Sequence, residues 1–138
     1  MFFQKIASLH RKIVFNVNKL LKPFGLNLSD WRVFLYLSQA KSSALVPICE
    51  FYGVDKAILT RAVSKLHKLG FIEFLDSQDK REKIIALSSK GKEIYYDVNF
   101  CIRDYEAKIL HNLESKEREF LVQIIDKINQ NFDSKDLQ

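Results

Sequence analysis

Between Pro47 and Leu69 two stretches with helical spacing are separated only by Gly53, Val54 and Asp55. No other feature of the chain restricts its fold as tightly. A link this short, with a glycine inside it, turns the second helix sharply against the first, which is the helix-turn-helix pattern. Pro47 suits the first turn of the earlier helix, expected over 47–52, where its missing N–H leaves no bond unmade. Gly53 closes that helix. Asp55 stands where a cap belongs for the next one, which should run to about Leu69 with Gly70 as its stop.

That second helix has two unlike faces. Leu59, Ala62, Val63, Leu66 and Leu69 recur at the helical period and should be buried. The opposite face presents Lys56, Ala57, Thr60, Arg61, Ser64, Lys65 and Lys68, and from Asp55 to Leu69 four bases stand against one acid. Small and basic side chains facing outward fit a major groove, with the first two turns at base edges and the later bases at phosphate. Arg61 is expected at a base or phosphate, because its fork takes two acceptors at once. Thr60 and Ser64 suit either, while Lys65 and Lys68 are expected at phosphates, where they set affinity but not sequence. A solvated helix face would carry the same charges. The tight turn before it and the basic hairpin after it favour the nucleic acid.

The hairpin is read from "FIEFLD" and "KIIAL", two short strand-like runs around "SQDKRE". All five residues from Asp79 to Lys83 are charged. A finger beside a major-groove helix reaches the neighbouring minor groove, which is strongly negative over A·T-rich sequence and draws in arginine. Arg81 is the expected tip residue, Asp79 its orienting acceptor, and Lys80 and Lys83 its phosphate-flanking partners.

Around this block lie three more helical patterns. Residues 3–22 carry Ile6, Leu9, Ile13, Val17, Leu20 and Leu21 at helix spacing and end at Pro23 and Gly25. Ser29 is expected to cap the next helix, with Asp30 in its first turn and Trp31, Phe34, Leu35 and Leu37 on its buried face. "KSSA" reads as a polar break. Ser88 or Ser89 should cap a long helix striped by Ile94, Val98, Cys101, Ile102, Tyr105, Ile109 and Leu113, and a last helix carries Phe120, Leu121, Ile124, Ile125, Ile128 and Phe132. The expected fold is mainly α with a small β-hairpin wing: a winged helix-turn-helix over 29–87, flanked by N-terminal (1–28) and C-terminal (88–138) dimerisation helices in one integrated domain. The central block is too small to cover the flanking apolar stripes. A second copy of the chain should cover them, through Ile6, Leu113, Phe120, Leu121, Ile124, Ile125 and Ile128. An intramolecular bundle is the competing arrangement.

Composition removes other classes. The 138 residues, 47% of them apolar, suit one folded domain. No apolar run approaches the about 20 residues of a membrane span. The start "MFFQKIASLHRK" lacks the order of a signal peptide, so a cytoplasmic protein is expected. The formal net charge of +5 favours an anionic partner, and its distribution is uneven: five bases and no acid from Met1 to Gly25, but six acids against four bases from His111 onward. Cys49 and Cys101 form no disulfide or metal spacing and read as small apolar side chains. His10, His67 and His111 are scattered. With four glycines there is no phosphate-cradling loop. Neither an enzyme, a metal nor a cofactor is expected.

The stretch "GVDKAILTRAVSKLHKLGFIEFLDSQDKREKIIALSSKGKEI" resembles the signature of MarR-family bacterial transcriptional regulators. The matching positions are Thr60, Arg61, Leu66 and Gly70 in the helix, Asp79 and Arg81 in the wing, and Leu87, Ser88 and Gly91 after it. "LNLSDWRVFLYL" is similar to the family's second helix, and Val46 stands where a capping serine is common. The resemblance implies a homodimer on pseudo-palindromic, double-stranded operator DNA, repressing or activating nearby genes, with a repressor the first expectation, and often relieved by small aromatic or anionic ligands or by oxidants. It implies an effector cleft for which His10, Phe15, Trp31 and Phe34 are candidates, with plain core packing the competing role for the last two. It argues against thiol sensing, because the family's peroxide sensors carry a cysteine near the first helix and this chain has none there. The alternative function is a protein-interaction module that keeps the fold without operator binding.

Overall fold

The computed structural model describes residues 1–77 and 81–135. In chain order these form α1 (Phe2–Leu21), a single 3-10 turn (Lys22–Phe24), α2 (Leu28–Ala40), β1 (Ser42–Ser43) and α3 (Leu45–Tyr52). There follow α4 (Lys56–Lys68), β2 (Ile72–Leu75), β3 (Ile84–Leu87), α5 (Ser89–Ile109) and α6 (Ser115–Phe132). The expected winged helix-turn-helix is present, mainly α with a small antiparallel sheet.

Three expectations about where elements begin and end need correction. The cap of α2 is Asn27, not Ser29: the Asn27 side chain accepts from the Asp30 N–H and the Asp30 carboxylate accepts from the Asn27 N–H, both at 2.9 Å. Asn27 has the extended backbone a cap requires, and Ser29 falls inside the first turn. Helix α3 starts at Leu45 behind Ala44, so Val46 is its second residue rather than its cap. Pro47 is then third, still among the N–H positions that have no partner inside a helix. Third, "KSSA" is more than a break. Ser42 and Ser43 pair antiparallel with Ala86 and Ile85, giving a three-stranded sheet of order β1-β3-β2. Two residues are too few to show a strand period, so this pairing left no trace in the pattern.

The core lies where α2, α3, α4 and the sheet meet. Val33, Phe34, Ile48, Leu59 and Leu66 are wholly covered there. Trp31 stacks on Tyr95 of α5 at 5.5 Å between ring centroids, and Phe34 meets Phe71 at 5.9 Å. Leu69, expected on the buried face of α4, is instead exposed, because it lies at the C-cap beyond the last helical turn.

The motif around Gly70 and Gly91 is a knot between two turns. Ser88 donates its hydroxyl to the Gly70 carbonyl at 2.6 Å and its backbone N–H to the Phe71 carbonyl at 3.0 Å. The same hydroxyl accepts from the Gly91 N–H at 3.0 Å, so Ser88 is the cap of α5. A Cβ on Gly91 would lie 2.0 Å from the Phe71 carbonyl oxygen, closer than atoms can approach. The start of α5 and the entry to β2 are therefore held together by a serine and by the absence of a side chain.

The chain divides into two compact units, Met1–Ile102 and Arg103–Gln138. Within the first, α1 joins the core through Leu21, and Asn18 accepts from the Leu28 N–H at 2.9 Å. Within the second, Arg118 closes the turn before α6 by donating to the carbonyls of Leu110 at 2.7 Å and Leu113 at 3.2 Å. No residue of α6 is buried.

Candidate nucleic-acid interface

The turn between α3 and α4 depends on Gly53, whose φ of +63° lies in the left-handed region. A side chain there is strained, and glycine is not. Val54 N–H then reaches back to the Cys49 carbonyl at 3.1 Å, closing α3, and α4 begins two residues later. Asp55 occupies the cap position of α4 but makes no side-chain cap bond.

Helix α4 is seated by Leu59, Ala62, Val63 and Leu66, all buried. This seating turns the opposite face outward. Lys56, Ala57, Thr60, Arg61, Ser64 and Lys68 are exposed, and so is Ile58 beside them. Thr60 donates its hydroxyl to the Lys56 carbonyl at 2.7 Å, which leaves the oxygen available as an acceptor.

Lys65 departs from the expected pattern. Its ammonium lies 2.6 Å from Oδ2 of Asp30, a carboxylate only 1% exposed, while the Lys65 side chain itself is 40% exposed, so the cation already has a partner within the protein. The periodicity that assigned Lys65 to the outer face placed it at the face's edge, where a partner on another helix takes it.

On the wing, Arg81 and Lys83 are exposed. Asp79 and Lys80, named with them from the sequence, lie outside the described residues. The Lys83 ammonium sits 5.3 Å from the centre of the Phe74 ring, and the His67 ring lies 4.5 Å from that of Phe74. Thr60, Ser64, His67, Phe74 and Lys83 line a cleft of about 370 Å³ between α4 and the strands. The helix and the base of the wing thus form one surface carrying Lys56, Arg61, Lys68 and Lys83. His67 and Phe74 were not singled out in the sequence. His67 stands three residues after Ser64 and seven after Thr60, a spacing that places it on the same face.

The four effector candidates are not alike. Trp31 and Phe34 are buried core side chains in ring contact at 6.0 Å, while His10 and Phe15 are exposed on α1. Of the dimerisation candidates, Ile6, Phe120, Leu121, Ile124 and Ile125 are exposed, and Leu113 and Ile128 are half-buried. Among the described residues no helix is long and apolar enough to cross a membrane.

A buried-backed helix after a tight turn, flanked by a small sheet with cationic side chains at its outer end, defines a winged helix-turn-helix protein. Its fold is of the MarR type. BldR of Sulfolobus solfataricus, a transcriptional regulator, superposes with a TM-score of 0.85 at 25% identity, covering 94% of this chain and 93% of that one. A mutant MarR of E. coli complexed with operator DNA superposes with a TM-score of 0.79 at 23% identity, covering 91% of each chain. By sequence, the chain is 27% identical over 109 residues to YwoH, an uncharacterised HTH-type transcriptional regulator of Bacillus subtilis, covering 79% of this chain and 80% of that protein. It is 25% identical over 118 residues to the HTH-type transcriptional regulator BilQ of Clostridioides difficile, covering 85% and 80%. No protein-family model matches the chain. These relatives are regulators of transcription, not enzymes.

Proposed function

We propose that this chain is a sequence-specific, DNA-binding transcriptional regulator that acts in the cytoplasm as a homodimer on pseudo-palindromic operator DNA. The observation that carries the reading is the outward face of α4. Lys56, Thr60, Arg61, Ser64 and Lys68 stand exposed on a helix whose other side is locked into the core. Small polar and basic groups there serve base edges and phosphates, and Arg81 and Lys83 extend the cationic surface onto the wing. Asp79 and Lys80 complete the proposed wing contact. The E. coli protein of like fold is complexed with operator DNA, which supports DNA as the partner.

Dimer formation is supported by apolar side chains left in water. On α1 these include Ile6, Leu9 and Ile13, and on α6 Phe120, Leu121, Ile124 and Ile125. Rows of large apolar residues at helix spacing are costly to leave exposed, and each helix is proposed as a contact with a second copy. The helices flanking residues 29–87 then serve assembly, and the central lobe serves recognition. The proposed action is repression, relieved by a small aromatic or anionic effector that meets His10 and Phe15.

The deciding experiment selects genomic fragments bound by the purified protein and titrates the enriched sequence by fluorescence anisotropy across salt. Saturable binding that weakens steeply with salt, and is much tighter than for random duplex, is the expected result. Equal, weak binding to both would leave a protein-interaction module with this fold as the better reading.

A further inference from the structure

We infer that Asp30 is a positioning residue for α4, and that it withdraws Lys65 from the DNA backbone. The inference deepens the proposed function and rests on it. Asp30 is the one charged side chain that is buried among the described residues, 1% exposed. Its Oδ2 oxygen accepts from two directions: the Asn27 N–H at 2.9 Å and the Lys65 ammonium at 2.6 Å. One carboxylate therefore starts α2 and grips α4 in its third turn, joining residues 35 positions apart. The Oδ1 oxygen has no hydrogen-bond partner among the described residues.

The charge arithmetic gives the grip its consequence. Arg61 and Lys65 are four residues apart on α4, so their like charges repel. Both line a cleft of about 180 Å³ together with Asp30. The carboxylate neutralises the second of these cations and leaves Arg61 as the charge presented outward. A lysine held at 2.6 Å by a covered carboxylate releases no counterion from DNA, because the phosphate would have to compete with a partner already in place. Lys68, exposed one turn-edge further on, has no such carboxylate among the ion pairs of the described residues.

The test compares the slope of log affinity against log salt on the selected fragment for the wild type, Lys65→Met, Lys68→Met, Asp30→Asn and the double variant Asp30→Asn/Lys65→Met. Each phosphate contact contributes roughly 0.9 to that slope. Lys68→Met should lower it by about 0.9, while Lys65→Met leaves it unchanged. Asp30→Asn, by freeing the ammonium, should raise it by up to about 0.9, and the double variant should return it to the wild-type value. Lys65→Met should also lower the ratio of cognate to random affinity several-fold, and Lys65→Arg, which keeps the grip, should preserve it. If Lys65→Met lowers the slope as much as Lys68→Met does, Lys65 is a phosphate contact and the inference falls. If Asp30→Asn fails to fold, the two single-lysine variants decide the matter alone. A wild type with no salt-dependent binding would overturn the proposed function itself, a result distinct from either.

Discussion

Gly91 shows how a single position can hold two elements in place. Its backbone passes so close to the Phe71 carbonyl that a Cβ would sit at 2.0 Å. Backbone rather than a flexible side chain is in the way, so Gly91→Ala has to push α5 off the sheet entry. We expect a loss of about 3 kcal/mol or more in a urea melt, at or above the upper end for overpacked sites. Arg81 is argued from exposure on the wing. Arg81→Ala should weaken cognate binding by about 1–3 kcal/mol in an anisotropy titration, and no change would remove the wing from the interface. Tyr52 offers a pH effect. Burial pushes its phenol above the usual tyrosine value, against the pull of the Arg32 guanidinium and with a smaller push from Tyr36. An acid that holds its proton more tightly when folded stabilises the fold fully below its unfolded pKa, and that share is lost as pH rises through the folded one. Thermal stability should therefore fall on the alkaline side of the ordinary tyrosine range, and Tyr52→Phe should flatten that part of the fall.

Helix α4 illustrates what an amphipathic period does and does not say. The buried side chains Leu59, Ala62, Val63 and Leu66 follow from spacing alone, as do the exposed Lys56, Thr60, Arg61 and Ser64. Leu59 is fully covered, so Leu59→Ala should cost about 2–5 kcal/mol and loosen the whole reading surface, seen as lost stability and lost DNA affinity together. Lys68→Ala should behave differently. It should weaken cognate and random DNA about equally, lower the salt slope by roughly one, and leave the melting temperature nearly unchanged. Lys65 separates the two kinds of information. Its place on the helix is local, but its partner Asp30 comes from another helix, and the role proposed for it follows from that partner. The capping box of α2 belongs to the same class. Asn27 and Ser29 both have side chains suited to a cap, and only the path of the chain out of the 3-10 turn and Gly25 selects Asn27.

For the assembled protein, the exposed apolar rows on α1 and on α6 make a testable demand. The chain should sediment as a dimer at micromolar concentration. Ile6→Glu or Phe120→Glu should shift it toward monomer without unfolding the core, since neither side chain is buried. Two copies should protect two half-sites one helical turn of DNA apart, about 34–36 Å between centres, in a hydroxyl-radical footprint. A monomer that still binds a single site tightly would refute the paired arrangement.

Much of the architecture was legible in one dimension. The helix-turn-helix link, the two wing strands and the amphipathic flanking helices depend on short-range spacing, and spacing is a property of neighbouring residues. Ser88 and Gly91 were marked as a motif by the resemblance to the MarR signature, though their purpose appears only when the carbonyl of Phe71 is brought against them. The pairing of Ser42 and Ser43 with β3, the exposure of Leu69, the cleft of His67 and Phe74, and the grip of Asp30 on Lys65 were set by folding. Each joins or separates groups from different elements. The energy of such a contact depends on how elements pack, and the order of residues along one helix carries no record of it.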